Sequence, residues 1–127
     1  YRRQRQMCIR DRMLALVDEA EAILTDEQAD LNEFGRLLDH TWKLKRGTGA
    51  AVSTDCIDAL YARGIAAGAL GGKLLGAGGG GFLVFYVEPE HQAAVRQAMQ
   101  ELLYIPFRFE NGGTRVIYYA PEEEPAL

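Results

Sequence analysis

Between Gly71 and Gly81 the chain places seven of its 14 glycines, and this segment lies between two apolar runs rather than in a linker. Glycine loses more conformational freedom on folding than any other residue. Five glycines within positions 76–81 therefore weaken the segment unless something requires that backbone. A tight hairpin needs one or two residues with positive φ. A larger number suits a close approach of bare backbone to a ligand such as a phosphate, with several N–H groups converging on it. We take ligand approach as the leading reading. Its structural rival is that the glycines only let a hairpin pack closely.

The order of elements narrows the kind of loop. Gly76-x-Gly78-x-x-Gly81 satisfies a dinucleotide fingerprint in form, but that fingerprint must open a helix. Here Phe82-Leu83-Val84-Phe85-Tyr86-Val87 follows at once, an aromatic and β-branched run that predicts a strand. A Walker A loop needs Lys and then Ser or Thr after its last glycine, and Phe82 stands there instead. What remains is a glycine-rich loop between two strands, with Lys73 just ahead of it.

Lys73-Leu74-Leu75-Gly76-Ala77-Gly78-Gly79-Gly80-Gly81 closely resembles the third signature motif of the GHMP kinases, which lies in the C-terminal domain of that family. Trp42-Lys43-Leu44-Lys45-Arg46, Gly68 to Lys73, Ile105 to Phe109 and Arg115 to Tyr119 look like its sugar-phosphate kinase branch, typified by heptose 7-phosphate kinase. The likeness runs from about residue 13 to 119. It implies an α+β, ferredoxin-like C-terminal domain: a mostly antiparallel sheet with helices packed on one face. It also implies ATP and Mg²⁺ as cofactors of the intact enzyme, and a heptose 7-phosphate phosphorylated at C1 as its substrate. Gly76, Gly78, Gly79, Gly80 and Gly81 would bring backbone N–H groups to the nucleotide loop and the substrate. Lys73 would add positive charge, or else point to solvent.

Read in order, residues 1–12 stand apart as a non-native or disordered segment. They carry five arginines against Asp11 and no amphipathic period. A basic arm is the functional reading. Against it, Met7-Cys8-Ile9-Arg10-Asp11-Arg12 resembles translated junction sequence from the ends of assembled environmental reads, so the segment is set aside in reasoning about the fold. Residues 13–120 form the domain. Met13, Leu16, Val17, Ala20, Ile23 and Leu24 mark one face of a helix. Asp30 with Glu33 has the spacing of a capping box, opening a helix with Leu31, Phe34, Leu38 and Trp42 on one stripe. Lys43, Lys45 and Arg46 crowd its last turn. There they suit the helix dipole; alternatively Lys45 and Arg46 grip the non-reacting phosphate of a sugar.

The loop Gly47 to Val52 has glycine and alanine where the family branch tends to show serines, which leaves Thr48 and Ser53 as its hydroxyls. Ser53 or Thr54 caps a third helix carrying Ile57, Leu60, Tyr61 and Ile65, with Asp55 and Asp58 as helix-start acids rather than a catalytic pair. After the glycine hairpin, Pro89 opens a helix with Val95, Ala98, Met99, Leu102 and Leu103 buried. Phe107 and Phe109 alternate with Arg108 and Glu110, and Asn111-Gly112 predicts a second hairpin returning through Arg115 to Tyr119. Residues 121–127 read as an acidic disordered tail.

A 127-residue chain with 48% hydrophobic and 25% charged residues is ordinary for one globular domain. A net charge of −4 gives no pull toward nucleic acid or an anionic membrane, and no apolar run approaches a membrane span. Cys8 and Cys56 read as two reduced thiols of a cytoplasmic protein, and no zinc spacing surrounds His40 or His91. Phosphoryl transfer also needs a nucleotide loop and a carboxylate beside the attacking hydroxyl. In GHMP kinases both belong to the N-terminal domain. The expectation is therefore a fragment with no assigned catalytic or metal residue, inactive and without bound cofactor on its own, whose partner is that N-terminal domain. The rival is a stand-alone ferredoxin-like module that binds a small regulatory molecule.

Overall fold

In the computed structural model, which describes residues 2–47, 54–76, 81–116 and 118, the helix expected from Met13 extends back to Arg2. Helix α1 thus spans Arg2–Thr25, and residues 2–12 lie on the same helix as those that follow them. Leu16 is buried and Met13, Ala20 and Ile23 half-buried, the stripe α1 turns toward α2. Val17 and Leu24, expected on that stripe, are 60% and 58% exposed. A continuous apolar run of this kind is wider than one neighbouring helix can cover.

Helix α2 spans Asn32–Arg46. Asp30 does serve its start: its carboxylate accepts from Asn32 N at 3.0 Å and its carbonyl from Glu33 N at 2.9 Å. The capping box is not closed, because Glu33 is paired with Arg36. Leu31 lies outside the helix and is exposed, so the buried stripe runs through Phe34, Leu38 and Trp42. Helix α3, Asp55–Ala66, is capped by Thr54, whose hydroxyl accepts from Ile57 N at 3.3 Å. It stops before Gly68, whose φ of 123° is one a side chain rarely adopts.

Strands β1 (Gly71–Leu75) and β2 (Phe82–Tyr86) pair antiparallel, from Gly71 opposite Tyr86 to Leu75 opposite Phe82. Because side chains alternate along a strand, neighbouring pairs meet different helices. Tyr86 lies over Gly35 of α2 and edge-on to Phe34, ring centroids 6.4 Å apart, whereas Phe85 lies over Gly64 of α3. Trp42, Tyr61 and Phe85 make a continuous aromatic ladder from α2 through α3 to β2, with centroid spacings of 4.9 and 5.7 Å. Trp42 and Tyr61 are 4% and 5% exposed, among the most deeply buried side chains of the domain.

The α2–β1 contact is unusually intimate. A Cβ built on Gly71 would lie 1.9 Å from the Gly35 carbonyl oxygen, and one on Gly35 would lie 2.6 Å from the Tyr86 ring. Two glycines therefore let a helix backbone rest directly on a strand backbone.

Past β2, Pro89 opens a 3-10 turn (Pro89–His91) that runs into α4, Gln92–Ala98. This helix is shorter than its apolar pattern predicts: Val95 is buried, but Leu102 and Leu103 lie beyond its end and are exposed. The α+β class stands, with a sheet of two strands among the described residues. The second hairpin does not form among the described residues. The chain only bends at Asn111 and Gly112: the positive φ falls on Gly113, at 62°, rather than on the predicted pair, and Arg115 is bonded to Glu110 at 3.0 Å. No ladder follows it, and Phe107 and Phe109 are 63% and 96% exposed. An isolated pair of strands is marginal in water, and alternation alone supplies no sheet edge for residues 105–118 to join. Ile117 and Tyr119, and the tail, lie outside the described residues.

Candidate functional site

The glycine hairpin is the center of the site, and its backbone explains part of its composition. Gly76, just after β1, has φ 111°, and Gly81, just before β2, has φ 131°. A Cβ on Gly81 would also sit 2.1 Å from the Leu75 carbonyl oxygen. At Gly72 it would meet the Val84 carbonyl at 2.6 Å and the Phe85 ring at 2.9 Å. Gly71, Gly72, Gly76 and Gly81 are thus required by chain geometry at the ends and base of the hairpin. Gly78, Gly79 and Gly80, the heart of the predicted phosphate cradle, lie outside the described residues.

Lys73 stands on β1 opposite Val84, with its side chain in solvent. Lys45 and Arg46 occupy the C-terminal end of α2, both exposed. They lie roughly 9 Å farther along the helix axis than Asp39, where β1 rests on α2, at 1.5 Å per residue. Arg46 donates to Asp58 of α3 at 3.0 Å, and Lys43 holds Asp39 at 2.6 Å. Lys43 and Arg46 therefore have carboxylate partners within the domain, and the Arg46 pair ties α2 to α3. Asp58, besides standing in the first turn of α3, is half of that tie.

One polar group was not visible as such in the sequence. Tyr61, which the period marks only as a core residue, donates its hydroxyl to Asp39 Oδ1 at 2.9 Å. Burial pushes the Tyr61 hydroxyl well above the usual tyrosine range; the bond to Asp39 and its charge push the same way, and the nearby Gly72 backbone works weakly against them. The one hint in the sequence is the i, i+4 pair Asp39 and Lys43 beside a buried tryptophan.

Below the hairpin an apolar cleft of about 1030 Å³ opens between α3, β2, α4 and the segment after it, lined by Leu60, Leu74, Phe85, Val95 and Met99. Arg96 over the Tyr104 ring at 4.3 Å, and an ion pair between Arg63 and Glu101, hold that segment in place. Its walls are mostly hydrocarbon, with Gln92, Arg96 and Gln100 as polar groups among them. Glu88, Glu90 and His91 converge within 4.8 Å of one another, but they follow β2 at the end of the hairpin away from Gly81. Of the loop itself, the described residues are Gly76 and Gly81. They bring no comparable set of carboxylates there for Mg²⁺, so no step is assigned to that ion.

The comparisons with known proteins agree with this geometry. Residues 16–105 match the family model described as GHMP kinases C terminal. Over 74 residues the chain is 32% identical to D-glycero-alpha-D-manno-heptose 7-phosphate kinase of Campylobacter jejuni subsp. jejuni serotype O:2, an alignment covering 58% of this chain. It spans only 22% of the length of that relative. A glycine hairpin set against helices, found within a family match over most of its length, places this chain in the GHMP kinase family, with residues 16–105 forming the family's C-terminal domain.

Proposed function

We propose that the chain is the C-terminal portion of an ATP-dependent sugar-phosphate kinase whose acceptor is D-glycero-D-manno-heptose 7-phosphate, phosphorylated at C1 for nucleotide-activated heptose synthesis in the cytoplasm. The observation that carries this reading is the hairpin loop entered and left through positive-φ glycines, at 111° and 131°, within the matched family domain. The identity to a heptose 7-phosphate kinase supports the substrate.

Phosphoryl transfer depends on positioning and charge neutralisation more than on covalent help. In this reading Gly76 and Gly78 to Gly81 form a backbone wall that approaches the nucleotide loop of a partner N-terminal domain. Lys73 adds charge from β1. Lys45 and Arg46 hold the phosphate that does not react, Arg46 exchanging Asp58 for it. ATP supplies the transferred phosphoryl group. The carboxylate beside the attacking hydroxyl comes from the N-terminal domain, so the chain alone has no turnover. The reading includes no nucleic-acid or membrane partner, and no described helix is long and apolar enough to cross a membrane.

Calorimetric titration of the chain with ATP·Mg²⁺ and then heptose 7-phosphate, beside a kinase assay, is the first test. Silence in all three is expected. Sub-millimolar binding without turnover would favour the autonomous binding module, and turnover would refute the half-site. A chimera placing this domain in the matching stretch of the Campylobacter relative tests the substrate: a folded chimera that no longer phosphorylates heptose 7-phosphate would overturn the assignment.

A further inference from the structure

Helix α1 has two apolar stripes, and the domain covers one of them. Leu16, with Met13, Ala20 and Ile23, faces α2. Roughly a third of a turn round the axis, at about 100° per residue, lie Met7, Leu14, Val17 and Leu24. All four are between 58% and 69% exposed. Single exposed apolar residues are normal on a protein surface, whereas a continuous row of them marks a contact. Arg10 and Glu21, both exposed, complete the row. The six positions follow one another at steps of 3, 4, 3, 4 and 3 residues, the spacing of a seam along which one helix meets another. Met7 and Arg10 belong to the segment before Met13, which is continuous with the rest of α1.

The charges on the seam select the second helix. When two copies of α1 lie antiparallel about a two-fold axis level with the Ala15–Leu16 peptide, Met7 meets Leu24, Leu14 meets Val17 and Arg10 meets Glu21, and symmetry repeats each pair. No other antiparallel register pairs all six positions. A parallel pair would set Arg10 against Arg10 and Glu21 against Glu21. Neither residue takes part in an ion pair among the described residues, so each keeps its charge for a second copy.

We propose that this stripe of α1 is a self-association surface, on which two copies of the chain pair antiparallel with Arg10 of each against Glu21 of the other. None of these residues belongs to the hairpin, so the pairing stands or falls apart from the kinase reading. The six positions span about 26 Å of helix. That makes a small interface, so dissociation in the micromolar range or weaker is expected. Asp11 and Asp18 flank the seam and face each other across it, and this edge of like charge weakens the pair further.

Sedimentation equilibrium of the 127-residue chain, from about 10 μM to about 1 mM, tests the pairing. A dimer that grows with concentration is expected. A monomer throughout would overturn the surface, and would fit instead a stripe covered by the N-terminal portion of the kinase. Arg10→Glu and Glu21→Arg should each weaken association about tenfold or more, by placing like charges at both ends of the seam. An equimolar mixture of the two variants should recover the wild-type affinity, because each offers the charge that the other lacks. Equal affinity in all samples, or a mixture no tighter than its components, would overturn the charge pairing. If either variant fails to fold, a nitroxide on the exposed Cys8, in Cys56→Ser, decides with the seam unaltered. Mixed with isotope-labelled wild-type chain, it should broaden the amides of Ala22 to Leu24. Broadening centered on Cys8 or on residues outside α1 would overturn the antiparallel pair.

Discussion

The α2–β1 junction and the segment after α4 hold similar amounts of apolar and aromatic side chain, yet they end in opposite states. At the junction, Gly35 and Gly71 bring two backbones into direct contact, and Trp42, Tyr61 and Phe85 stack without a break. After α4, Leu103, Phe107, Phe109, Val116 and Tyr118 are 63% to 96% exposed, and Phe107 and Phe109 find chiefly each other, at 5.9 Å. Burial thus depends less on how apolar a segment is than on whether a complementary surface lies within its reach. Glycine provides that surface at the junction by removing Cβ atoms. The C-terminal segment has the right alternation but, among the described residues, joins no strand edge.

Four measurements would break or sharpen this contrast. The largest effect is expected at Trp42. Trp42→Ala removes the α2 end of the aromatic ladder and should cost about 3–5 kcal/mol in a urea unfolding experiment. Its indole Nε1 has no hydrogen-bond partner among the described residues, so Trp42→Phe should cost well under half as much. Similar losses for the two variants would mean that the indole N–H has an acceptor after all. Gly71→Ala comes next, with about 1–3 kcal/mol for forcing a methyl against the Gly35 carbonyl. A neutral result would show that the two backbones are not in contact.

The third measurement is alkaline stability. Tyr61 is raised in the folded state by burial and by Asp39, so the protein favours the protonated phenol. Its contribution is fully present below the ordinary tyrosine value of about 10 and is lost as the pH rises from there toward the higher folded value. Stability followed by denaturant midpoint should fall above about pH 10, and less steeply in Tyr61→Phe. Parallel curves for the two proteins would remove Tyr61 as the cause. The smallest effect is expected for Phe109→Ser, within about 0.5 kcal/mol, as for a surface position. A loss above 1 kcal/mol would show that residues 105–118 pack as a strand in solution and would dissolve the contrast.

Much of the organisation was legible from local chemistry. The period from Met13 to Ile23, the Asp30 and Thr54 starts, Gly68 past the end of α3, and Pro89 before α4 each act over a few residues, so sequence spacing alone reveals them. Two positive-φ glycines framing a hairpin loop are of the same kind. The GHMP motif was legible for another reason: a loop with no side chains is constrained to a nearly unique string.

What the residues determine by themselves, then, is where helices and strands start, where backbone must turn left-handed, and which family the hairpin belongs to. Tertiary packing decided the rest. It chose Leu16 over Val17 as the buried face of α1, because one neighbouring helix covers only one stripe. It assigned Gly71 and Gly72 to close contact at the base of the hairpin. It also joined Asp39 to Tyr61 across 22 residues, and it left Phe107 and Phe109 without a ladder. Each of these outcomes depends on a surface supplied by a distant part of the chain, and residue spacing carries no information about that surface.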